Sequence, residues 1–149
     1  MNCKIIIALI ALFVAGCIPA VGQGMQLNIV GNPQSVPAKM DIDQLKTILK
    51  GEKLRWDDGV SVKIALMKTN TSIGSYTCER IFNMSTNELN KYFLAQVFQG
   101  KVKAPNFFTS KSELEEYVAR TPGAIGVSQN TAENDGEIKL IVIDGRKQL

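Results

Sequence analysis

The residues best suited to chemistry in this chain stand together at positions 66–82, LMKTNTSIGSYTCERIF. Lys68 supplies a cation, Ser72, Ser75 and Thr77 supply hydroxyls, and Tyr76 supplies a phenol. Gly74 lacks the side chain that would keep a ligand off the backbone. An alternating apolar run precedes this stretch and a helical pattern follows it. A polar turn that opens a helix offers unpaired N–H donors and a partial positive charge, which is what an oxyanion needs. A plainer account uses the same residues: Ser75 as a helix cap, Gly74 as a turn residue and Lys68 as a solvated charge. Residue types alone fit both.

Other chemistry is poorly supplied. The chain has no histidine, which removes the commonest general base and the commonest zinc ligand. Cys78 falls near the start of the expected helix, where a thiol can be activated, but a small core residue is the expectation. Asp57 and Asp58, followed by Gly59, have the composition of a solvated turn. No nucleophile–base pair or metal-ligand cluster is visible, so neither an enzyme nor a cofactor is expected.

The net charge of +3 over 149 residues drops to +2 without Lys4, the sole charge before Gly24. That is too small to argue for nucleic acid or an anionic membrane. Residues 1–23 read as an export signal: Lys4 is the positive end, residues 5–16 are uncharged and apolar, and small residues follow. Two ends of that signal fit. Val14-Ala15-Gly16-Cys17 has the form of a bacterial lipobox, giving a signal over 1–16 and a lipid anchor on Cys17. Ala20-Val21-Gly22 equally fits cleavage before Gln23. Either way the expected compartment is the periplasm and the expected domain is 24–149. Cys3 leaves with the signal, and Cys78 is then without a disulfide partner.

The elements that must position the turn follow from periodicity. Residues 26–30 form a short apolar strand ended by Gly31-Asn32-Pro33. Asp41 and Gln44 have capping-box spacing ahead of Leu45, Ile48 and Leu49, and Gly51 stops the helix. Residues 60–66 alternate as a strand that enters the turn, and a helix is expected over 75–84 with Cys78, Ile81 and Phe82 on one side. Ser85 and Glu88 start a helix carrying Leu89, Tyr92, Phe93 and Val97, which ends at Gly100. Lys101 and Lys103 lie in a basic loop expected to be solvated. Ser110 and Glu113 start a helix that buries Leu114, Tyr117 and Val118, stopped at Pro122-Gly123. Strands follow over 124–128 and 138–143. Strands separated by helices predict a three-layer α/β domain with a mainly parallel sheet, and the polar loop over 129–136 allows the last two strands to pair as a hairpin. Asn32 and Ser35, after the first strand, are placed at the same edge as the turn.

Three segments in order carry a resemblance: NIVGNPQS (28–35), DQLKTILKGEKLRWDDG (43–59) and TPGAIGV (121–127). They resemble segments of the periplasmic phosphate-binding proteins of phosphate ABC transporters, mostly their second lobe, and order and spacing match across 27–143. The chain looks like a member of a short, single-lobe group of such proteins. The resemblance implies one lobe of a type-II periplasmic binding protein fold, with Trp56 packed beside the Asp57-Asp58-Gly59 turn. It also implies a ligand of the phosphate class, an inorganic oxyanion, held by Lys68, Ser72, Gly74, Ser75, Tyr76 and Thr77. Lys68 stands where the family has an arginine, the family's serine-glycine-threonine triple is not contiguous, and the spacer to Phe82 is about four residues longer. One lobe surrounds an ion incompletely, so tight binding would need a second copy or a partner to close over it. A membrane transporter or a sensor protein is the expected partner. The alternative is an exported interaction module that keeps the fold without the ligand.

Overall fold

The structure is a computed structural model that describes residues 24–132 and 136–149. The export signal and Cys17 lie outside the described residues. Among the described residues, six strands and four α-helices follow one another as β1 (Leu27–Gly31), β2 (Lys39–Met40), α1 (Ile42–Leu49), β3 (Lys63–Met67), α2 (Ser72–Thr77), a π-helical turn (Cys78–Phe82), α3 (Thr86–Phe98), β4 (Asn106–Phe108), α4 (Lys111–Arg120), β5 (Ala124–Gln129) and β6 (Lys139–Ile143).

The strands form one sheet in the order β2-β6-β1-β5-β3-β4. β3 runs parallel to both β4 and β5, and β2 runs parallel to β6. β1 is antiparallel to both of its neighbours, with Leu27 opposite Gln129 and Ile29 opposite Ile141. The expectation of a mainly parallel sheet therefore fails at its centre. The hairpin that the last loop allowed does not form, because β1 occupies the place between β5 and β6. The reason is burial. All five residues of β1 are buried, a pattern that only a central strand covered on both faces can satisfy. Seating β1 there removes far more apolar surface from water than pairing β5 with β6 would.

Helices cover both faces. Phe107 and Phe108 are neighbours on β4 and so point to opposite sides of the sheet. Phe107 meets Phe93 of α3 edge-on at 6.3 Å, and Phe108 meets Tyr117 of α4 at 5.2 Å. The α3 and α4 layers thus sandwich the sheet, and the domain is a three-layer α/β sandwich. α4 packs close to β5 because Gly126 has no side chain: a Cβ there would lie 3.1 Å from Leu114 Cδ2. Trp56 is buried and its Nε1–H donates to the Gly123 carbonyl at 2.8 Å, so it pins the 56–60 turn to the bend that starts β5.

Capping follows the sequence. Asp41–Gln44 and Ser85–Glu88 form complete capping boxes, and Ser110 caps α4 by accepting from Glu113 N–H. Val97, expected on the apolar face of α3, is instead 39% exposed.

The Glu88 carboxyl accepts the Ser85 N–H at 2.7 Å. That backbone bond, followed by the Ser85 hydroxyl, holds its pKa below the usual carboxylate value of 4.5. A group whose pKa is lowered by folding adds stability above its unfolded value and loses it as pH falls through the folded one. Thermal unfolding across the acid range should therefore show wild type losing stability relative to Glu88→Gln as the pH drops. Parallel curves for the two proteins would contradict the capping role.

Candidate functional site

The polar turn begins where β3 ends. Lys68 N–H donates to the Phe108 carbonyl at 2.9 Å, which ties the start of the turn to the end of β4. The Lys68 carbonyl then accepts from both Thr71 N–H at 2.9 Å and Thr71 Oγ1 at 2.7 Å. Thr71 Oγ1 in turn accepts Gly74 N–H at 3.0 Å. Thr71, with extended backbone, is therefore the N-cap of α2. The expected cap, Ser75, lies one turn inside the helix, and its N–H donates to the Thr71 carbonyl at 2.9 Å. The helix starts three residues earlier than the sequence reading places it. Thr71 has the cap's geometry, whereas Ser75 has a partner already supplied by the helix.

Gly74 has a structural reason that sequence reasoning missed. A Cβ at this position would collide with the Lys68 carbonyl oxygen and lie 2.9 Å from the Met67 carbonyl oxygen. The helix can begin directly on the end of β3 only because residue 74 has no side chain. Thr77 is buried and its hydroxyl donates to the Ile73 carbonyl at 2.7 Å. Tyr76 is half-buried against the core. Lys68 and Ser72 are the exposed members, and Ser75 is half-buried. Helix geometry leaves the N–H groups of Ser72 and Ile73 without intrahelical partners. The structure thus brings one exposed cation, one exposed hydroxyl and two backbone donors to the same short turn.

The π-helical turn follows α2 without a break and ends at Asn83 in the left-handed region. Cys78, at the junction, is fully buried. Burial pushes its thiol pKa up from 9.0, which leaves it protonated and unreactive at neutral pH.

The turn's place in the sheet is set by topology. β3 and β5 are adjacent and parallel, but the chain leaving β3 goes to β4 on one side while the chain leaving β5 goes to β6 on the other. Open α/β sheets leave a crevice outside the carboxyl ends of two such strands, and ligands collect there. The β5 side of that edge is well tied. Asn130 accepts Lys111 Nζ on its carbonyl at 3.1 Å, and Glu115 accepts the hydroxyls of Ser128 at 2.7 Å and Thr131 at 2.6 Å. The start of α4, capped by Ser110, opens on the same edge; its capping spacing was visible in the sequence, but its neighbourhood to Lys68 was not.

Asn32 and Ser35 are not at this edge. β1 is antiparallel to β5, so its end lies opposite the beginning of β5, with Gly31 paired to Ile125. There Asn32 Nδ2 donates to the carbonyls of Val118 and Ala119 and closes the end of α4. Its role is a helix C-cap. Among the described residues, no group of three His, Cys, Asp or Glu side chains could hold a metal ion. No helix there is long and apolar enough to cross a membrane.

The cap geometry makes a stability prediction. Thr71→Ala should lower unfolding free energy by about 1 kcal/mol, while Ser75→Ala stays within about 0.5 kcal/mol of wild type. Gly74→Ala should cost about 1–3 kcal/mol through overpacking against Lys68. Urea denaturation of the three variants gives all three values, and a larger loss for Ser75→Ala than for Thr71→Ala would contradict the assignment.

No family model matches the chain, and no curated protein sequence does. Solved structures do. PstS from Borrelia burgdorferi superposes with a TM-score of 0.61 at 16% identity, over 80% of this chain and 47% of that one. An ABC-type phosphate transport receptor from Vibrio cholerae gives 0.62 at 15% identity, over 83% and 48%. A Clostridium perfringens protein, described as a phosphate ABC transporter substrate-binding protein and solved with bound phosphate, gives 0.60 at 11% identity, over 81% and 46%. The chain spans under half the length of each, and identities this low establish the fold alone. The chain has the fold of a single lobe of the substrate-binding proteins of phosphate ABC transporters.

Proposed function

We propose that this chain is an exported solute-binding module that holds an inorganic oxyanion of the phosphate class weakly at the 68–77 turn. The observation that carries this reading is positional: Lys68 leaves β3 where the connections from β3 and β5 diverge, beside the first N–H groups of α2. Lys68 would pair with the anion as a point charge, and Ser72 would donate its hydroxyl with the backbone N–H groups of Ser72 and Ile73. Ser75 and Tyr76 would line the approach. Gly74 and Thr77 would act through the shape of the turn, since Gly74 sets the helix against the strand and Thr77 bonds its own helix.

Weakness follows from the same geometry. Lys68 and Ser72 are exposed, and a single helix terminus in water gives a modest, salt-screened attraction. A second copy, a transporter or a sensor protein closing over the crevice would raise the affinity by excluding water. Residues 1–23 would direct export to the periplasm and end either before Gln23 or with a lipid on Cys17. The exposure of Lys68 and Ser72 also favours a second reading, an exported interaction module that keeps the fold without an anion.

Thermal-shift titration separates the two. Ligand at ten times its Kd stabilises by about 1.4 kcal/mol, so even millimolar binding raises Tm at high phosphate. Phosphate and arsenate should raise the Tm of wild type, and Lys68→Ala and Ser72→Ala should remove the rise without lowering the unliganded Tm. No shift with phosphate, arsenate or sulfate would leave the interaction module.

A further inference from the structure

The acidic residues of this chain avoid one region. Residues 89–112 contain four lysines, Lys91, Lys101, Lys103 and Lys111, and no aspartate or glutamate, although the whole chain is close to neutral. The same stretch holds the largest exposed apolar side chains: Phe98 is 91% exposed and Leu94 72%. Lys91, Leu94 and Phe98 fall on one stripe of α3 by helical spacing. Phe107 of β4, itself partly exposed, abuts the same helix through Phe93.

Beside the end of α3 lies a hollow of about 420 Å³ whose lining includes Lys53, Arg55, Lys63 and Lys103 and no carboxylate. Asn106 and Tyr117 line it too, with Asn106 Nδ2 donating to the Tyr117 hydroxyl at 2.9 Å. Lys53 pairs with Asp57 at 3.0 Å. Among the described residues no ion pair engages Lys63 or Lys103. Gly51, which lines the hollow, is packed against Val102 in the segment that follows α3, next to Lys101 and Lys103.

Apolar side chains projecting from a ridge flanked by lysines match the boundary between headgroups and acyl chains of an anionic bilayer; the nearest acid on α3 itself is Glu88, one turn before Lys91. We infer that this corner of the domain docks on an anionic phospholipid surface. Leu94 and Phe98 enter the boundary layer, Lys91 and Lys101 meet lipid phosphates, and the cation-lined hollow receives a headgroup. A second copy is the poorer occupant, since a two-fold interface would set these lysines against their own copies. A bilayer accepts projecting rings at any spacing, whereas a protein partner must offer matched pockets. The cation-lined hollow is separate from the 68–77 turn, since Lys63 opens β3 and Lys68 follows its other end. The start of α3 does meet the turn, where Asn90 Nδ2 donates to Thr69 Oγ1 at 3.2 Å, but the reporter at residue 98 reads the far end of that helix, so either reading can fail without the other.

Residues 1–23 include an apolar run, so co-sedimentation of the full chain would not isolate this corner. A reporter placed on it does. In full-length Phe98→Trp, the native Trp56 is buried and gives a constant background. Vesicles of phosphatidylglycerol and phosphatidylcholine should shift the emission of the introduced indole to the blue, and brominated acyl chains should quench it. Phosphatidylcholine alone should do neither. Adding Lys91→Gln, Lys101→Gln and Lys103→Gln should weaken partitioning, read on the same signal, roughly fivefold per lysine. Unchanged emission of that indole on the anionic vesicles, an equal response to neutral ones, or an undiminished response in the lysine variants would overturn the inference. A blue shift that grows with protein concentration in the absence of lipid would assign the surface to a second copy instead.

Discussion

A five-residue strand near the start of the described chain decides the architecture. Leu27–Gly31 lies between two strands that come about a hundred residues later, and its backbone groups are satisfied on both sides by them. Every side chain of that strand is buried. The loop-closure entropy of bringing such distant segments together grows only with the logarithm of their separation. The gain from seating a buried, largely apolar strand grows with each residue. The central position therefore wins, and it separates β5 from β6. With β1 between them, the chain leaving β5 must travel away from the chain leaving β3. The divergence of the two connections at the carboxyl edge is a consequence of that separation.

The turn at that edge shows how much of its side-chain chemistry serves folding. Thr71 caps α2, Gly74 lets it sit on the strand end, and Thr77 bonds its own helix. Lys68 and Ser72 remain exposed beside backbone donors. Two exposed side chains on one turn do not enclose a ligand, and enclosure is where high affinity arises. The similar solved structures are about twice as long as the matched region.

Charge is distributed unevenly around this frame. A net charge near zero conceals an acid-free segment spanning most of α3, β4 and the loop between them. Composition averages over the molecule, whereas a surface meets only what faces it. The sheet's order ends at β4; Phe107 of that strand, with Leu94 and Phe98 of α3, is exposed, and a hollow beside Asn106 of the same strand draws its cations from separate parts of the chain.

The sequence by itself determined what depends on neighbours along the chain. Capping at Asp41, Ser85 and Ser110, the strand leading to Met67 and the helical run of α4 are set by local hydrogen bonds and apolar periodicity, which operate over four residues or fewer. The three-layer class was legible for the same reason, as was the candidate turn with its lysine, hydroxyls and glycine. Tertiary structure decided the rest. Nothing local tells a strand whether its neighbours run with it or against it, so the direction of β1 and the edge on which Asn32 falls came only with packing. Nothing local distinguishes Thr71 from Ser75 as the cap, because both are hydroxyl residues before a helical pattern. The choice was made by the collision that any side chain at residue 74 would have with the end of β3. That contact joins backbone atoms of two elements, and period and propensity carry no record of it.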